Sequence, residues 1–277
     1  MTGMSGNGAG VNGWDAREAR DVAVSSGARV RGLEGIDLFD VDVLVGRHPD
    51  RPGQDGDPAA VWSMLNGNGI HAGAVCSVRG AVFDLTTGNT ETHAVAMAYP
   101  RLVPVSTVDL RDALRAEREI ERMAEDGARV LRLFPDEQRV EADFPGFRHV
   151  ARRAAERGLV VLTGGDVRRV WRPFADLGAT VVFLDTHCYH LADFLLLARD
   201  EPGFHTSTRL LNSVDSLELV AAEVGARRLL FGSRAPLSEP TVPLLRLSRS
   251  GLEPEQRALV GGGNARRLLG LDGPDPR

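Results

Sequence analysis

From residue 38 onward the chain alternates between two spacings of its apolar residues. Short apolar runs fall at 38–45, 72–77, 102–108, 130–134, 159–163, 180–186, 204–210 and 228–232. Runs this short, rich in Val, Leu and Phe, predict strands buried on both faces. Between them, apolar residues three and four apart predict helices over 59–65, 114–125, 147–157, 167–174, 191–199 and 216–224. In 147–157, Val150, Ala154 and Ala155 form one stripe, with Arg152, Arg153 and Arg157 off it. Gly158, Gly178 and Gly225 each fall just after such a stretch, where a left-handed cap favours glycine.

Eight strands alternating with helices predict a parallel sheet joined by right-handed crossovers. Eight units in this length match an α/β fold of the (β/α)8 TIM-barrel kind, for which about 250 residues is usual. An open doubly wound sheet is the alternative, and no Gly-rich phosphate fingerprint follows the first strand to favour it. Residues 1–30 are expected to form a flexible extension, with a short helix over 14–25. The barrel is expected over 36–271 and a tail over 272–277.

In a barrel of this kind the chemistry belongs at the C-terminal ends of the strands. Alternation along the first strand puts Asp40, Asp42 and Leu44 on one face and four apolar residues on the other. The apolar face belongs under helices, so the carboxylates are expected inside. The fourth strand carries Arg132 and Phe134 on one face, and the fifth ends at Thr163. Asp185 and His187 share a face after the sixth, and Arg79 follows the second. The last run, Arg228 to Pro236, delivers Arg234 at its exit, with Pro236 blocking further pairing.

Composition then removes several chemistries. The 33 basic residues are all Arg. Without Lys there is no Schiff base on an ε-amine and no lysine-anchored pyridoxal phosphate. A net charge of −5 argues against nonspecific nucleic-acid binding. No apolar run is long enough to span a bilayer. Two cysteines, Cys76 and Cys188, make no disulfide framework, so a reducing cytoplasmic location is expected.

The stretch Leu230-Phe231-Gly232-Ser233-Arg234-Ala235-Pro236 and the tail Gly262-Gly263-Asn264-Ala265-Arg266-Arg267-Leu268-Leu269-Gly270-Leu271 resemble the closing motifs of the amidohydrolase superfamily, in its second, metal-dependent branch. The resemblance covers about Phe39 to Leu271. It implies a (β/α)8 barrel with metal-assisted hydrolysis or decarboxylation of small molecules. The family's metal-binding and catalytic positions are mostly changed, however. Asp42 and Leu44 stand where the family has two His, Arg132 where it has Lys, Thr163 where it has His, and Arg234 where it has a metal-binding or catalytic Asp. A carboxylated lysine bridging two metals is impossible here.

A zinc site needs three protein ligands and an open position. Asp42 and His187 are the only candidates left at family positions, so the expectation is no metal and no other cofactor. A zinc site rebuilt around Asp42, His187, Cys188 and His190 is the alternative. Asp42 and Arg234 lie on strands that become neighbours when a barrel closes, and a guanidinium is expected to replace the ion. The site is read as catalytic Asp42, Asp185, His187 and Arg234, with Arg79, Arg132, Thr163 and Phe134 binding substrate. Arginines match anions, since a guanidinium pairs with a carboxylate through two bonds. The expected function is metal-independent hydrolysis, decarboxylation or related acid–base chemistry on a small anionic molecule. A non-catalytic barrel that binds a small molecule or partners an active homologue is the competing reading. Partners are expected to be a small-molecule substrate and a second barrel, in a homodimer or with a homologue, with neither nucleic acid nor membrane.

Overall fold

The computed structural model describes residues 30–271. The expected N-terminal helix over 14–25 and the tail over 272–277 lie outside the described residues. Nine parallel strand segments follow in chain order: β1 Phe39–Val45, β2 Ala72–Ser77, β3 Leu102–Pro104, β4 Ser106–Thr107, β5 Val130–Leu133, β6 Val160–Thr163, β7 Val181–Phe183, β8 Phe204–Ser207 and β9 Leu229–Leu230. They make a sheet β1-β2-β3 and a sheet β4-β5-β6-β7-β8-β9.

Both seams between the sheets are joined. At one, β3 and β4 are a single stave broken at Val105, beside Pro104, which has no N–H to give. Val105 donates to Val75 of β2 across the break. At the other, the chain after β9 runs along β1. Val41 donates to Phe231, Leu44 donates to Ala235, and a parallel bridge joins Val43 to Ala235. The result is an eight-stave (β/α)8 barrel.

Alternation sorts the side chains into two cores. Val130, Phe134, Leu162, Val182, Leu184 and Leu230 pack inside the barrel. Leu131, Leu133, Val161, Val181, Phe183 and Leu229 pack outward against the helices. A run of edge-on aromatics, Phe147, Phe174, Phe183 and Phe204, ties the helical segments Pro145–Glu156 and Arg172–Phe174 to β7 and β8 with ring spacings of 5.0–6.4 Å.

All eight expected strands exist, though several are shorter at their ends. The structure adds helices where none was expected, at Leu85–Ala98, Thr241–Ser248 and Asn264–Leu269. The first of these has little amphipathic contrast because Thr and Asn fill its buried side. Thr92 accepts a hydrogen bond from Ser77 N, and Asn89 meets both backbone groups of Thr107, accepting from Thr107 N and donating to Thr107 O. Polar residues that serve a neighbouring strand blur the 3.6-residue signal.

Candidate functional site

Asp42 is the centre of the charged interior. The β1–β2 register slips between Asp40 and Val43. That irregularity corrects the expected facing of β1, because Phe39 and Val41 join Leu44 in the inner core. Asp42 remains inside and is fully buried. Asp40 is drawn to the seam with β9. Its carboxylate accepts from the hydroxyl of Ser233 at 2.5 Å, from Ser233 N at 3.0 Å and from Asp42 N at 2.9 Å.

Arg132 comes inward from β5, between the outward Leu131 and Leu133. Its Nη1 donates to Asp42 Oδ1 at 2.5 Å, with the two side chains 1% and 0% exposed. Its guanidinium lies 4.7 Å from the centre of the Phe134 ring. Arg234 arrives from the other side, at the turn after β9. Its backbone φ is +62°, a strained conformation for a residue with a Cβ. The turn brings Arg234 Nε to 3.6 Å from Asp42 Oδ2, while Nη2 donates to Asp185 Oδ2 at 2.9 Å. Arg209, after β8, donates to the other oxygen of Asp185. The ion pairs therefore run Arg132–Asp42–Arg234–Asp185–Arg209.

Backbone groups complete the arrangement. Gly165 N donates to Asp185 Oδ2 at 2.9 Å. A Cβ on Gly164 would lie 3.2 Å from both Arg234 Nη2 and Asp185 Oδ2, so the bare backbone there makes room for the pair. Burial alone would raise Asp42, but Arg132, Arg234 and Arg209 outweigh it and hold the carboxyl below the usual range. Burial, then the nearby Arg234 charge, brings Arg209 down to about 10. Burial raises Asp40 to about 6, against the hydrogen bonds from Ser233 and Asp42.

A cavity of about 270 Å³ opens over this cluster at the C-terminal ends of β6 and β7. Asp136, Asp166, Asp185, His187, Tyr189 and His190 line it. His187 stacks on Tyr189 with ring centres 4.6 Å apart, and its Nδ1 accepts from Tyr189 N at 3.3 Å. In the neutral ring the proton therefore sits on Nε2.

Asp42, Arg132, Phe134, Asp185 and Arg234 are thus brought together, with His187 at the mouth above Asp185. Two expected site residues stand apart. Thr163 pairs in register with Leu133 and Phe183, both in the outer core, so it faces away from the barrel centre. Its hydroxyl donates to Gly164 O, and the position that faces the cluster is Gly164, one residue later. Arg79 is half exposed and pairs with Glu91 at 3.6 Å. It borders a separate cavity of about 370 Å³ with Arg47 and Phe83. Arg209 and Asp136 were not in the expected site. Arg209 lies past the end of β8, where alternation no longer applies. Asp136 follows the strand-ending Phe134-Pro135, and that position is the signal that could have found it.

The family's fold implies a divalent cation at the inner ends of β1 and β9, and the residues here do not fit one. Asp42 is already bridged by Arg132, Arg234 brings a positive charge to the same place, and Leu44 has no donor atom. Among the described residues no three His, Cys, Asp or Glu side chains converge as a metal site requires. Nor, among them, is any helix long and apolar enough to cross a membrane.

Comparison with known proteins gives the lineage of the barrel. The family model described as amidohydrolase matches residues 92–271. No curated protein matches the chain. Among solved structures, 5-carboxyvanillate decarboxylase from Sphingomonas paucimobilis superposes with a TM-score of 0.68 at 16% identity, over 85% of this chain and 99% of that one. An uncharacterized TIM-barrel protein from Bordetella bronchiseptica gives 0.67 at 18%, over 84% and 99%. The 5-carboxyvanillate decarboxylase of Novosphingobium aromaticivorans, complexed with manganese and 4-hydroxy-3-methoxy-5-nitrobenzoic acid, gives 0.65 at 10%, over 87% and 98%.

Proposed function

The chain belongs to the amidohydrolase family, and from that membership we propose that it is a metal-independent member acting on a small organic acid by acid–base chemistry. One observation carries the reading. The place where the fold would put a cation holds the ion-pair chain Arg132–Asp42–Arg234–Asp185–Arg209. Fixed guanidinium groups supply positive charge there, aimed in advance and shielded from water. Such preorganised charge stabilises an anion that forms or binds beside it.

The substrate enters over the mouth cavity. Its acid group turns toward Arg209 and Arg234, which are 11% and 17% exposed in their side chains. His187 is the proton carrier, since an imidazole can both take up and give back a proton and this one lines the mouth. Asp185 positions the two guanidiniums. The neighbouring 5-carboxyvanillate decarboxylases support decarboxylation as the reaction class, and the amidohydrolase family supports hydrolysis. A homodimer, or pairing with a homologous barrel, remains part of the proposal on architecture alone.

A second reading rests on a specific observation. Asp42 and Arg132 are sealed, at 0% and 1% exposure, which suits a non-catalytic barrel that binds a small acid at its mouth. One experiment separates the two. Chelator-treated protein is incubated with a panel of aromatic and aliphatic carboxylic acids, and product and binding are both followed. Turnover that persists without metal and falls in His187→Gln supports the enzyme. Binding without product supports the second reading. Stoichiometric zinc or manganese that restores activity refutes metal independence.

A further inference from the structure

We propose that the cavity at the ends of β1 and β2 is a second ligand site, one that holds an aromatic carboxylate between the guanidiniums of Arg47 and Arg79 and the ring of Phe83. The cavity has a volume of about 370 Å³ and is lined by these three residues and Gly46. It shares no lining residue with the mouth cavity beside His187. In an eight-stave barrel, β1 and β2 stand across the mouth from β6 and β7. The inference therefore goes beyond the function proposed above and does not rest on it.

The backbone under the site is built by close contacts. β1 ends at Val45, and Gly46 turns away with φ +87° to present Arg47. The loop that follows returns onto this turn, where Gly46 N donates to Gly56 O at 2.8 Å. A Cβ on Gly56 would fall 2.0 Å from Gly46 O, so only a bare backbone lets the loop close there. On the other side, Ser77 ends β2 and caps the short helix Val78–Val82, accepting from Arg79 N at 3.2 Å. Phe83 lies four residues after Arg79, on the same side of the turn, and Phe83 N donates to Arg79 O at 2.9 Å. A Cβ on Gly88 would fall 2.0 Å from Gly80 N, so this helix and the helix Leu85–Ala98 meet backbone to backbone. Three long side chains thus reach one cavity from a fixed frame.

The chemistry of the lining selects the ligand. The neighbouring carboxylates are Glu91 and Asp84, and neither lines the cavity. Glu91 comes no closer than 3.6 Å to Arg79, by way of Nε, and accepts from Ser77 Oγ at 2.7 Å. Asp84 accepts from Thr87 N at 2.7 Å at the start of its helix and is shared with Arg115. Among the described residues Arg47 has no ion-pair partner and Arg79 only this long one. Two guanidiniums with uncommitted outer nitrogens thus border one hollow, and no acid borders it with them. Phe83 is 69% exposed, a large ring left in water beside them. A carboxylate pairs with the fork of a guanidinium, and a ring attached to it would cover Phe83. A volume of this order admits a one-ring acid.

The test uses the whole protein with 4-iodobenzoate, cyclohexanecarboxylate and benzamide as probes. Calorimetric titration with 4-iodobenzoate at fixed ionic strength should show a saturable site. Arg47→Gln, Arg79→Gln and Phe83→Ala change exposed side chains, so each variant should fold, and each should weaken that site at least about tenfold. Cyclohexanecarboxylate keeps the charge without the flat ring, and benzamide keeps the ring without the charge. Either should bind there at least about tenfold more weakly. Crystals soaked in 4-iodobenzoate should show an iodine anomalous peak in this cavity, absent from Arg79→Gln. His187→Gln should leave the site unchanged, which separates it from acid binding at the mouth. The proposal is overturned by the absence of saturable binding, by equal binding in parent and the three variants, or by binding lost only in His187→Gln. Benzamide or inorganic phosphate binding as tightly as 4-iodobenzoate overturns it too, since the site would then read only a ring or only a charge. Turnover enters none of these readings, so the function proposed above can fail while this site stands.

Discussion

Replacing Arg132 by Met should be among the most damaging single changes in the barrel. The substitution keeps most of the side-chain volume and its contact with Phe134 but removes the charge. Asp42 then keeps only the 3.6 Å approach of Arg234 Nε, with no hydrogen bond from a guanidinium. Breaking a buried ion pair from one side typically costs about 3–5 kcal/mol, because a charge is left without compensation. For a domain of this size 1 kcal/mol moves Tm by about 2–4 °C, so the loss is about 6–20 °C. The pair itself is expected to contribute little. Two nitrogens of Arg132 go unpartnered, so the desolvation of both ions is only partly offset by their attraction. The double variant Asp42→Leu, Arg132→Met should therefore recover most of the loss. Urea unfolding followed by circular dichroism measures all three proteins and the coupling between the sites. A loss below about 1 kcal/mol in Arg132→Met would mean that Asp42 is neutral or hydrated in the native protein. The ion-pair reasoning would then be wrong.

Other expectations are narrower. The Asp40 carboxyl has a folded pKa of about 6 against an ordinary 3.8. Between about pH 4 and 6 the unfolded chain releases this proton and the folded chain keeps it. Stability from this group therefore falls as pH rises, by about 3 kcal/mol in all. Asp40→Asn, which imitates the protonated form, should remove that decline, and parallel stability profiles of variant and parent across this window would contradict it. Protein purified without chelator and then offered zinc or manganese should hold either ion only substoichiometrically by elemental mass spectrometry, and one ion per chain would show a site rebuilt from other residues. Gly165→Ala should destabilise by at least about 1–3 kcal/mol, because φ is +96° and the new Cβ would lie 2.7 Å from Val170 Cγ1. A melting temperature equal to the parent's would show that the β6 turn yields easily.

The fold was readable because its signals are repetitive and local. Eight apolar runs and the glycines that close the helices at 158, 178 and 225, all observed with positive φ, carry the barrel almost alone. The inward pair Asp42 and Arg132 followed from simple alternation. Sequence reasoning failed where alternation breaks. The slip between Asp40 and Val43 moved Phe39 and Val41 inward. One residue of register put Gly164, and not Thr163, against the charges. The partner of Asp42 was also misjudged. The closing strands do bring Arg234 near, but Arg132 makes the hydrogen bond, and only three-dimensional distance could rank them. Arg209 lies past a strand end, where loop conformation decides direction, and no period reports on that.

The guanidiniums in the barrel also shape which sequences can be reached from this one. A bound metal can be lost or exchanged without touching the gene, whereas these charges are written into β1, β5 and the turns after β7, β8 and β9. Changing Arg234 to Asp alone would crowd a third carboxylate beside Asp42 and Asp185, leaving two guanidiniums to answer them. Changing Arg132 alone strands Asp42. Each single step toward a cation-holding centre passes through an interior with unmatched charge, so the path back requires at least two changes made together. The ion-pair chain acts as a ratchet in sequence space, and variation in such a lineage is expected to collect at the mouth, around His187, Tyr189 and His190, where a substitution leaves the buried charges in balance.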